Sequence, residues 1–244
     1  MLSQKAKVLQ ALGGRTMLNH VLTTANKISN KISVVVGFDK EGVEEEIKKI
    51  GINANTFLQK EQIGTADAVK TTLKDIDKNE KILILYGDVP LIKEETLKKL
   101  CNQESDLSIL TTNLENPTGY GRALKDKENN VLGIIEEKDA DLEQKKIKEI
   151  FTGILVAKGS VLKKYIPEIN NNNSAKEFYL TDLIGIAHKN GFKINTLSSS
   201  NEETAGANNR IEQEELEKTL RIMKSDDLLS CLLYTSPSPR DRVR

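Results

Sequence analysis

Short, wholly apolar segments alternate with amphipathic helical patterns along most of the 244-residue chain. Residues 32–36 and 82–85 are two such segments, and each is too short for a helix of ordinary length. Between them, apolar residues recur at the three- and four-residue spacing of helices with one buried face. Because strands that are apolar on both sides are buried on both sides, the pattern predicts an α/β fold with a mostly parallel, mixed sheet flanked by helices.

The same patterns predict the individual elements, with Gly51 as a helix C-cap and Thr65 as a helix N-cap. Strands are expected at 32–36, 54–58, 82–85, 107–111, 122–124, 131–136, 151–156 and 193–197. Helices are expected at 16–28, at 43–50, from Thr65 to residue 76, around residues 97–100, and at 160–165, 176–189 and 211–223.

Composition excludes several classes of protein. The 36 basic and 36 acidic residues cancel, which argues against a nucleic-acid-binding domain. No apolar run is long enough to cross a membrane, and no secretory signal opens the chain. The two cysteines do not suggest a disulfide framework. We therefore expect a cytoplasmic protein with no nucleic-acid or membrane partner.

The last twenty residues differ from the rest in composition. They contain none of the lysines, three of the arginines and two of the five prolines. They also resemble the translated read-through of a sequencing adaptor. We therefore predict one domain over residues 1–224 and a non-native or disordered tail over residues 225–244.

Asp88 follows the strand predicted at 82–85, next to Gly87. Ligands of open α/β sheets bind at the carboxyl ends of the strands. A carboxylate there suits Mg²⁺, which is commonly held by one or two carboxylates and by substrate phosphates. The alternative is an ordinary turn Asp before Pro90.

Gln59, Gly64 and Thr65 lie between a predicted strand and a predicted helix. The helix N-terminus offers free backbone N–H groups, and the Gln59 amide could make a two-way contact with a base edge. The alternative is a strand–turn–helix connection with a Thr cap. By contrast, Leu-Gly-Gly-Arg-Thr at 12–16 follows no predicted strand, so we reject a phosphate loop there.

Several motifs, taken in order, resemble one family. They are Lys-Val-Leu at 7–9, Gln59, Gln-Ile-Gly-Thr at 62–65, Leu-Tyr-Gly-Asp-Val-Pro-Leu at 85–91, Asn-Pro-Thr-Gly-Tyr-Gly-Arg at 116–122, Ile-Glu-Glu-Lys-Asp at 135–139, Thr-Gly-Ile-Leu at 152–155, Glu-Phe-Tyr-Leu-Thr-Asp at 177–182 and Gly-Ala-Asn-Asn-Arg at 206–210. This set resembles the uridyltransferase domain of the bacterial bifunctional N-acetylglucosamine-1-phosphate uridyltransferase / glucosamine-1-phosphate N-acetyltransferase family.

The resemblance implies a Rossmann-like nucleotidyltransferase fold and the conversion of UTP and N-acetylglucosamine 1-phosphate to UDP-N-acetylglucosamine and pyrophosphate. This product is a precursor of peptidoglycan and lipopolysaccharide. By resemblance, Asp88 and Asn208 match Mg²⁺ ligands, and Lys7 matches the phosphate-binding lysine. Gln59, Gly64 and Thr65 match the uracil site. The positions that match the lining of the nucleotide-sugar site are Tyr86, Gly87, Gly121, Glu136 and Thr152.

Three departures from the family pattern affect what we expect of this chain. The family begins with a strand and a Gly-rich loop ahead of the position matching Met1, and it ends with an acetyltransferase domain that builds a homotrimer. Phe151 replaces a family Asn, so Phe151→Asn is expected to improve nucleotide-sugar binding. We therefore expect a fragment with weak or no activity. A sister sugar-1-phosphate nucleotidyltransferase with another sugar or base, or a non-catalytic nucleotide-binding fragment, remains an alternative.

Overall fold

The computed structural model describes residues 5–207 and 209–235. Its strands are β1 (Ala11–Leu12), β2 (Arg15–Thr16), β3 (Ile32–Val36), β4 (Ala54–Leu58), β5 (Lys81–Ile84), β6 (Leu107–Asn113), β7 (Arg122–Lys125), β8 (Val131–Ile135), β9 (Glu149–Lys158) and β10 (Ile194–Ser198). Its α-helices are α1 (Met17–Ile28), α2 (Lys40–Ile50), α3 (Thr65–Thr72), α4 (Glu94–Cys101), α5 (Gly159–Tyr165), α6 (Asp182–Lys189), α7 (Asn201–Thr204) and α8 (Arg210–Thr235).

A six-stranded mixed sheet forms the centre of the fold. Its order is β10-β6-β9-β7-β8, and β5 also pairs with β9. Only β10 and β6 run parallel, and the other pairings in this sheet are antiparallel among the described strands. The α/β fold with a mixed sheet is thus confirmed, but the expectation of mostly parallel pairing is wrong. An apolar run indicates that both faces of a strand are buried, but it does not determine whether the neighbouring strands run parallel or antiparallel to it.

Helices cover both faces of this sheet. One core cluster combines α3, α5 and α6 with β6 and β9 and includes Leu107, Leu155 and Leu183, all fully buried. A second cluster, on the opposite face, packs Leu97 and Leu100 of α4 against the sheet. Because helices cover both faces of the sheet, polar side chains can lie together in the loops at the carboxyl ends of its strands.

The strands β3 and β4 form a separate parallel sheet. Within the described chain, β3 pairs only with β4, and β5 pairs only with β9. The side chains of Ile82, Leu83 and Ile84 on β5 are only partly buried, although their partners on β9, Ala157, Val156 and Leu155, are buried. One edge of β5 is therefore open in the part of the chain that the structure describes.

Residues 176–181 differ from the expected helix over 176–189. The α-helix begins at Asp182, and Lys176 has a left-handed φ of 58°. The backbone of this segment bonds to the start of α3 instead, because Phe178 N donates to Ile63 O at 2.8 Å and Phe178 O accepts from Ala66 N at 2.9 Å. These tertiary hydrogen bonds replace those that a helix would have supplied.

Two loop predictions are confirmed and one is corrected. Gly51 is the left-handed C-cap of α2, and residues 12–16 form a hairpin between β1 and β2 rather than a phosphate loop. Thr65, however, does not cap α3: Gly64 is the N-cap residue, and the Thr65 hydroxyl accepts from Leu180 N at 2.9 Å.

The C-terminal helix α8 packs Leu216 and Leu220 against Leu12 and Met17. It runs without a break across the boundary expected between residues 224 and 225, and residues 236–244 lie outside the described part. No helix in the described part of the chain meets the length and apolarity needed for a membrane span.

Candidate active site

Lys7 and Asp88 meet at the carboxyl end of β5. The strand ends at Ile84, and a turn closed by Val89 N donating to Tyr86 O presents the Asp88 side chain. Lys7, in a single 3₁₀ turn, places its Nζ 2.6 Å from Asp88 Oδ2. Both side chains are about one-third exposed, at 36% and 29%. The pair therefore offers a cation and a carboxylate to an incoming ligand.

A cleft of about 180 Å³ opens beside Asp88. This volume is below the roughly 300–1,000 Å³ of a site for a whole drug-sized ligand, so it suits one part of a larger molecule. Most of the residues that line it carry a carboxylate or a hydroxyl group or are glycines, and the other two are apolar. They are Tyr86, Asp88, Val89, Gly119, Tyr120, Gly121, Glu136, Phe151, Thr152, Gly153, Thr181, Thr204 and Gly206.

Glu136 supplies a second carboxylate to the cleft, directly after β8. Its Oε1 accepts a hydrogen bond from the Thr181 hydroxyl at 2.9 Å. Burial raises the pKa of the Glu136 carboxyl, and the nearby carboxylates of Asp182 and Asp139 add to the rise. A partly desolvated carboxylate with its second oxygen uncommitted can accept hydrogen bonds from the hydroxyls of a sugar.

The loop that carries Gly121 is held by a buried arginine. Arg122 is 1% exposed and donates to Tyr120 O and to Glu137 Oε2. Glu137 also accepts from Gly119 N at 3.4 Å. The Arg122 Nε is the only buried side-chain polar atom in the described residues without a partner. The ion pair thus fixes both ends of the Gly-Tyr-Gly turn at the rim of the cleft.

The floor of the cleft is shaped by Tyr86 against Gly153. Gly153 has a φ of 86°, and a Cβ there would lie 2.6 Å from the Tyr86 ring. Burial raises the pKa of Tyr86 to about 12, so its hydroxyl stays protonated, and the nearby Thr65 side chain opposes part of that rise. Thr152 is 7% exposed and donates its hydroxyl proton to Leu110 O at 2.9 Å. This hydroxyl proton is therefore already used within the protein, and Thr152 contributes mainly to the shape of the cleft.

Gln59 directly follows β4 and is outside the lining of the cleft. It is 8% exposed, and its Nε2 donates to Gly64 O at 3.0 Å and to Asp67 Oδ2 at 2.9 Å. Both N–H groups of the amide are therefore used within the protein, and the two-way contact with a base edge stays a prediction that would require one of these hydrogen bonds to be exchanged. Gly64 has a φ of 134°, and a Cβ there would lie 2.3 Å from Phe178 O, so only glycine fits this turn.

The structure thus brings together most of the residues predicted for the site. Five of them line the cleft: Tyr86, Asp88, Gly121, Glu136 and Thr152. Lys7 joins them through Asp88, and Thr65 joins them through Tyr86. Gly87 lies under Val8, which a Cβ at Gly87 would approach to 3.1 Å, and Asn208 lies outside the described residues.

Sequence reasoning did not assign Thr181, Thr204 or Asp67 to the site. Thr181 lies in the Glu-Phe-Tyr-Leu-Thr-Asp motif, so that motif could have pointed to it. Thr204 and Asp67 are ordinary helix residues in the sequence, and only the folded structure places them beside the cleft and Gln59.

The donor set around Asp88 fits a magnesium site completed by a ligand. No group of three or more His, Cys, Asp or Glu residues in the described part of the chain could hold a metal by itself. Mg²⁺ does not require such a group, because it is usually held by one or two carboxylates together with substrate phosphates. The partly exposed Asp88 carboxylate is a suitable protein ligand of that kind.

Comparison with solved structures supports the same fold. A putative glucose-1-phosphate thymidylyltransferase from Bacillus anthracis, in complex with a sucrose, matches with a TM-score of 0.69 and 18% identity, over 87% of this chain and 85% of that chain. HddC from Yersinia pseudotuberculosis matches with a TM-score of 0.58 and 14% identity, over 81% of this chain and 83% of that chain.

A family model described as cytidylyltransferase matches residues 4–152, which is more than half of the chain. The matched segment includes the Lys7–Asp88 pair and Glu136, and the carboxylates of Asp88 and Glu136 both line the cleft. The chain therefore belongs to the cytidylyltransferase family.

Proposed function

We propose that this nucleotidyltransferase domain makes UDP-N-acetylglucosamine and pyrophosphate from UTP and N-acetylglucosamine 1-phosphate. The observation that carries the proposal is that one cleft combines two different chemistries. Asp88, with Lys7 in contact with it, is suited to phosphates and Mg²⁺, and Glu136, held by Thr181, is suited to sugar hydroxyls. The order of motifs in the sequence supports the same substrates.

The chain's own residues would act by positioning and by neutralising charge. Asp88 would hold Mg²⁺, which when bound stabilises negative charge on the phosphates. Lys7 Nζ lies 2.6 Å from Asp88 Oδ2. Lys7 would therefore contact oxygens of the phosphates that bind the Mg²⁺ held by Asp88. The sugar phosphate oxygen would attack the α-phosphorus in line, and pyrophosphate would leave. Such a reaction needs no covalent intermediate on the protein.

Glu136 would orient the sugar. One of its oxygens is fixed by the Thr181 hydroxyl, which leaves the other to accept hydrogen bonds from sugar hydroxyls. The rim held by Arg122 and Glu137 would close over the same sugar, because Gly119, Tyr120 and Gly121 line the cleft. Two parts of the fold that are distant in sequence would thus position one substrate.

A sister enzyme with another sugar or base is the main alternative. The name of the Bacillus anthracis relative and the description of the matched family model support it, since they mention thymidylyl and cytidylyl transfer. A non-catalytic nucleotide-binding module is the second alternative. It would bind nucleotide sugars but release no pyrophosphate from UTP and N-acetylglucosamine 1-phosphate.

Calorimetric binding of UDP-N-acetylglucosamine in the presence of Mg²⁺ tests the proposal, because binding can be measured even in a weak enzyme. Glu136→Gln should weaken this binding by about tenfold or more, which corresponds to the loss of a charge-assisted hydrogen bond. Its affinity for UDP should change little, since UDP has no sugar. Glu95→Gln, at an exposed carboxylate of α4, is the control.

Two results would contradict the proposal. One is tighter binding of another nucleotide sugar, such as UDP-glucose, under the same conditions. The other is an equal loss of affinity for UDP and for UDP-N-acetylglucosamine in Glu136→Gln, which would show that Glu136 does not contact the sugar. Pyrophosphate release measured with the same proteins separates a slow enzyme from a binding module.

A further inference from the structure

The side-chain amide of Gln59 is held in one orientation by two acceptors. Its Nε2 lies 3.0 Å from Gly64 O and 2.9 Å from Asp67 Oδ2. Rotating the amide by half a turn would place Oε1 against two oxygens that cannot donate. The backbone around it is also fixed, because Gln59 N donates to Val36 O and Gln62 Nε2 donates to Gln59 O.

This orientation leaves the Oε1 of Gln59 as the atom that a ligand can reach. None of the described residues donates a hydrogen bond to Oε1, yet within that part of the chain only Arg122 Nε is buried without a partner. Oε1 is therefore accessible to solvent, although the residue as a whole is 8% exposed. The side chain presents an acceptor and no donor.

We propose that Asp67 sets the base preference of this site, by fixing Gln59 as an acceptor that selects pyrimidines with a ring N–H. Uracil and thymine carry a proton on N3, which can donate to Oε1. Cytosine has a lone pair on N3, which would face the lone pairs of Oε1 without a proton between them. Asp67 is a positioning residue in this proposal, because it acts through Gln59.

The position of Gln59 relative to the cleft suits this role. Gly64, whose carbonyl accepts from Gln59, precedes Thr65, and the Thr65 side chain is close to that of Tyr86, which lines the cleft. A ligand with its sugar near Glu136 could thus extend past Tyr86 toward Gln59. Asp67 lies in the first turn of α3, where the helix dipole favours an ionised carboxylate.

The inference rests on the proposed nucleotidyltransferase function, and the base is tested separately from the sugar. The measurement is the ratio of the dissociation constants of CTP and UTP in the presence of Mg²⁺. The phosphate and metal contributions are the same for both nucleotides, so they cancel in this ratio. The wild-type protein should prefer UTP by about tenfold, the discrimination that one hydrogen bond can give.

Asp67→Ala should lower the preference for UTP, because the Gln59 amide then keeps only Gly64 O as an acceptor that opposes its rotation. Asp67→Asn keeps an acceptor oxygen for Nε2 and should retain most of the preference, which separates amide orientation from the loss of charge. Asp75→Ala is the control at an exposed aspartate beyond α3 and should leave the ratio unchanged.

An Asp67→Ala protein that keeps the wild-type ratio would overturn the assignment of Asp67 and leave the proposed function intact. A wild-type protein that prefers CTP would overturn the assignment as well. If neither nucleotide binds, both the inference and the proposed function fail.

Discussion

Lys7 Nζ lies 2.6 Å from Asp88 Oδ2, so the cation and the carboxylate assigned to phosphate and metal binding contact each other directly. An incoming Mg²⁺ would bind the same carboxylate that Lys7 contacts. The phosphates of a nucleotide would offer Lys7 a new partner at the same moment. The pair is therefore suited to bind metal and nucleotide together rather than metal alone.

Asp88→Asn should remove most of the Mg²⁺-dependent part of the UTP affinity. The amide has no charge to neutralise Mg²⁺, and it also removes the carboxylate that Lys7 contacts. We expect a loss of at least about tenfold in affinity with Mg²⁺, and a smaller change in EDTA. Asp75→Asn, at an exposed aspartate, is the control. Equal Mg²⁺ dependence of UTP binding in Asp88→Asn and wild type would contradict the assignment.

Phe151→Asn should destabilise the protein instead of improving ligand binding. Phe151 is 5% exposed and belongs to the main core cluster, although its edge reaches the cleft. Truncation of a buried Phe costs about 3–5 kcal/mol, and an amide in its place adds a polar group to the core. Urea unfolding measures the change. Phe38→Asn, at a side chain that is 62% exposed, should shift the unfolding free energy by less than about 0.5 kcal/mol.

Because Phe151 lies in the core, we now expect the loss of packing to outweigh any contact that Asn at position 151 would make. If Phe151→Asn instead binds UDP-N-acetylglucosamine more tightly at unchanged stability, the core assignment of Phe151 is wrong.

Local patterns predicted some elements to the residue and failed where the tertiary structure decides. Strands β3 and β4 match their predicted bounds, because each is a short run with strand propensity that ends near a turn. The expected helix over 176–181 is absent because its backbone bonds to residues 63–66, which are more than a hundred positions away. The orientation of the Gln59 amide likewise depends on Asp67, and no spacing rule links the two.

Glu137→Ala should destabilise the protein, because it leaves the buried charge of Arg122 without this carboxylate. The Glu137 side chain is itself 27% exposed, so the loss should be smaller than for a fully buried ion pair. Arg122→Met in addition to Glu137→Ala should recover part of this loss, since the charge itself is then removed. Chemical unfolding of the three proteins measures the effect. A double variant that is less stable than Glu137→Ala would contradict the interpretation.

Glu136→Gln should change the stability of the protein in a pH-dependent way. Because burial raises the pKa of Glu136, the protonated carboxyl favours the folded state and the charged form opposes it. The favourable contribution is present below the ordinary value of 4.5 and is lost as the pH rises through the higher pKa of the folded state.

Glutamine cannot ionise, so the variant should gain unfolding free energy relative to wild type as the pH rises from about 4 to about 7. Unfolding in urea at each pH measures this difference. The exposed Glu95→Gln should show little pH-dependent difference, and a parallel pH profile for Glu136→Gln and wild type would show that the charge of Glu136 is not costly in the fold.

A strand added beside β5 should stabilise the protein and raise its activity. In the described chain β5 is paired along one edge only, and Ile82, Leu83 and Ile84 are partly exposed. Each backbone hydrogen bond formed at that edge should contribute about 0.5–1.5 kcal/mol, and burial of the apolar side chains about 25 cal/mol per Å².

The change is an extension ahead of residue 1 that encodes an apolar, β-branched strand and a Gly-rich loop, whose backbone N–H groups can bind phosphates. An extension of the same length and loop with prolines in the strand is the control, because proline cannot donate to a sheet. The strand-bearing protein should show the higher thermal midpoint and the higher pyrophosphate release from UTP and N-acetylglucosamine 1-phosphate. Equal midpoints for the two extensions would show that the open edge of β5 does not accept a strand.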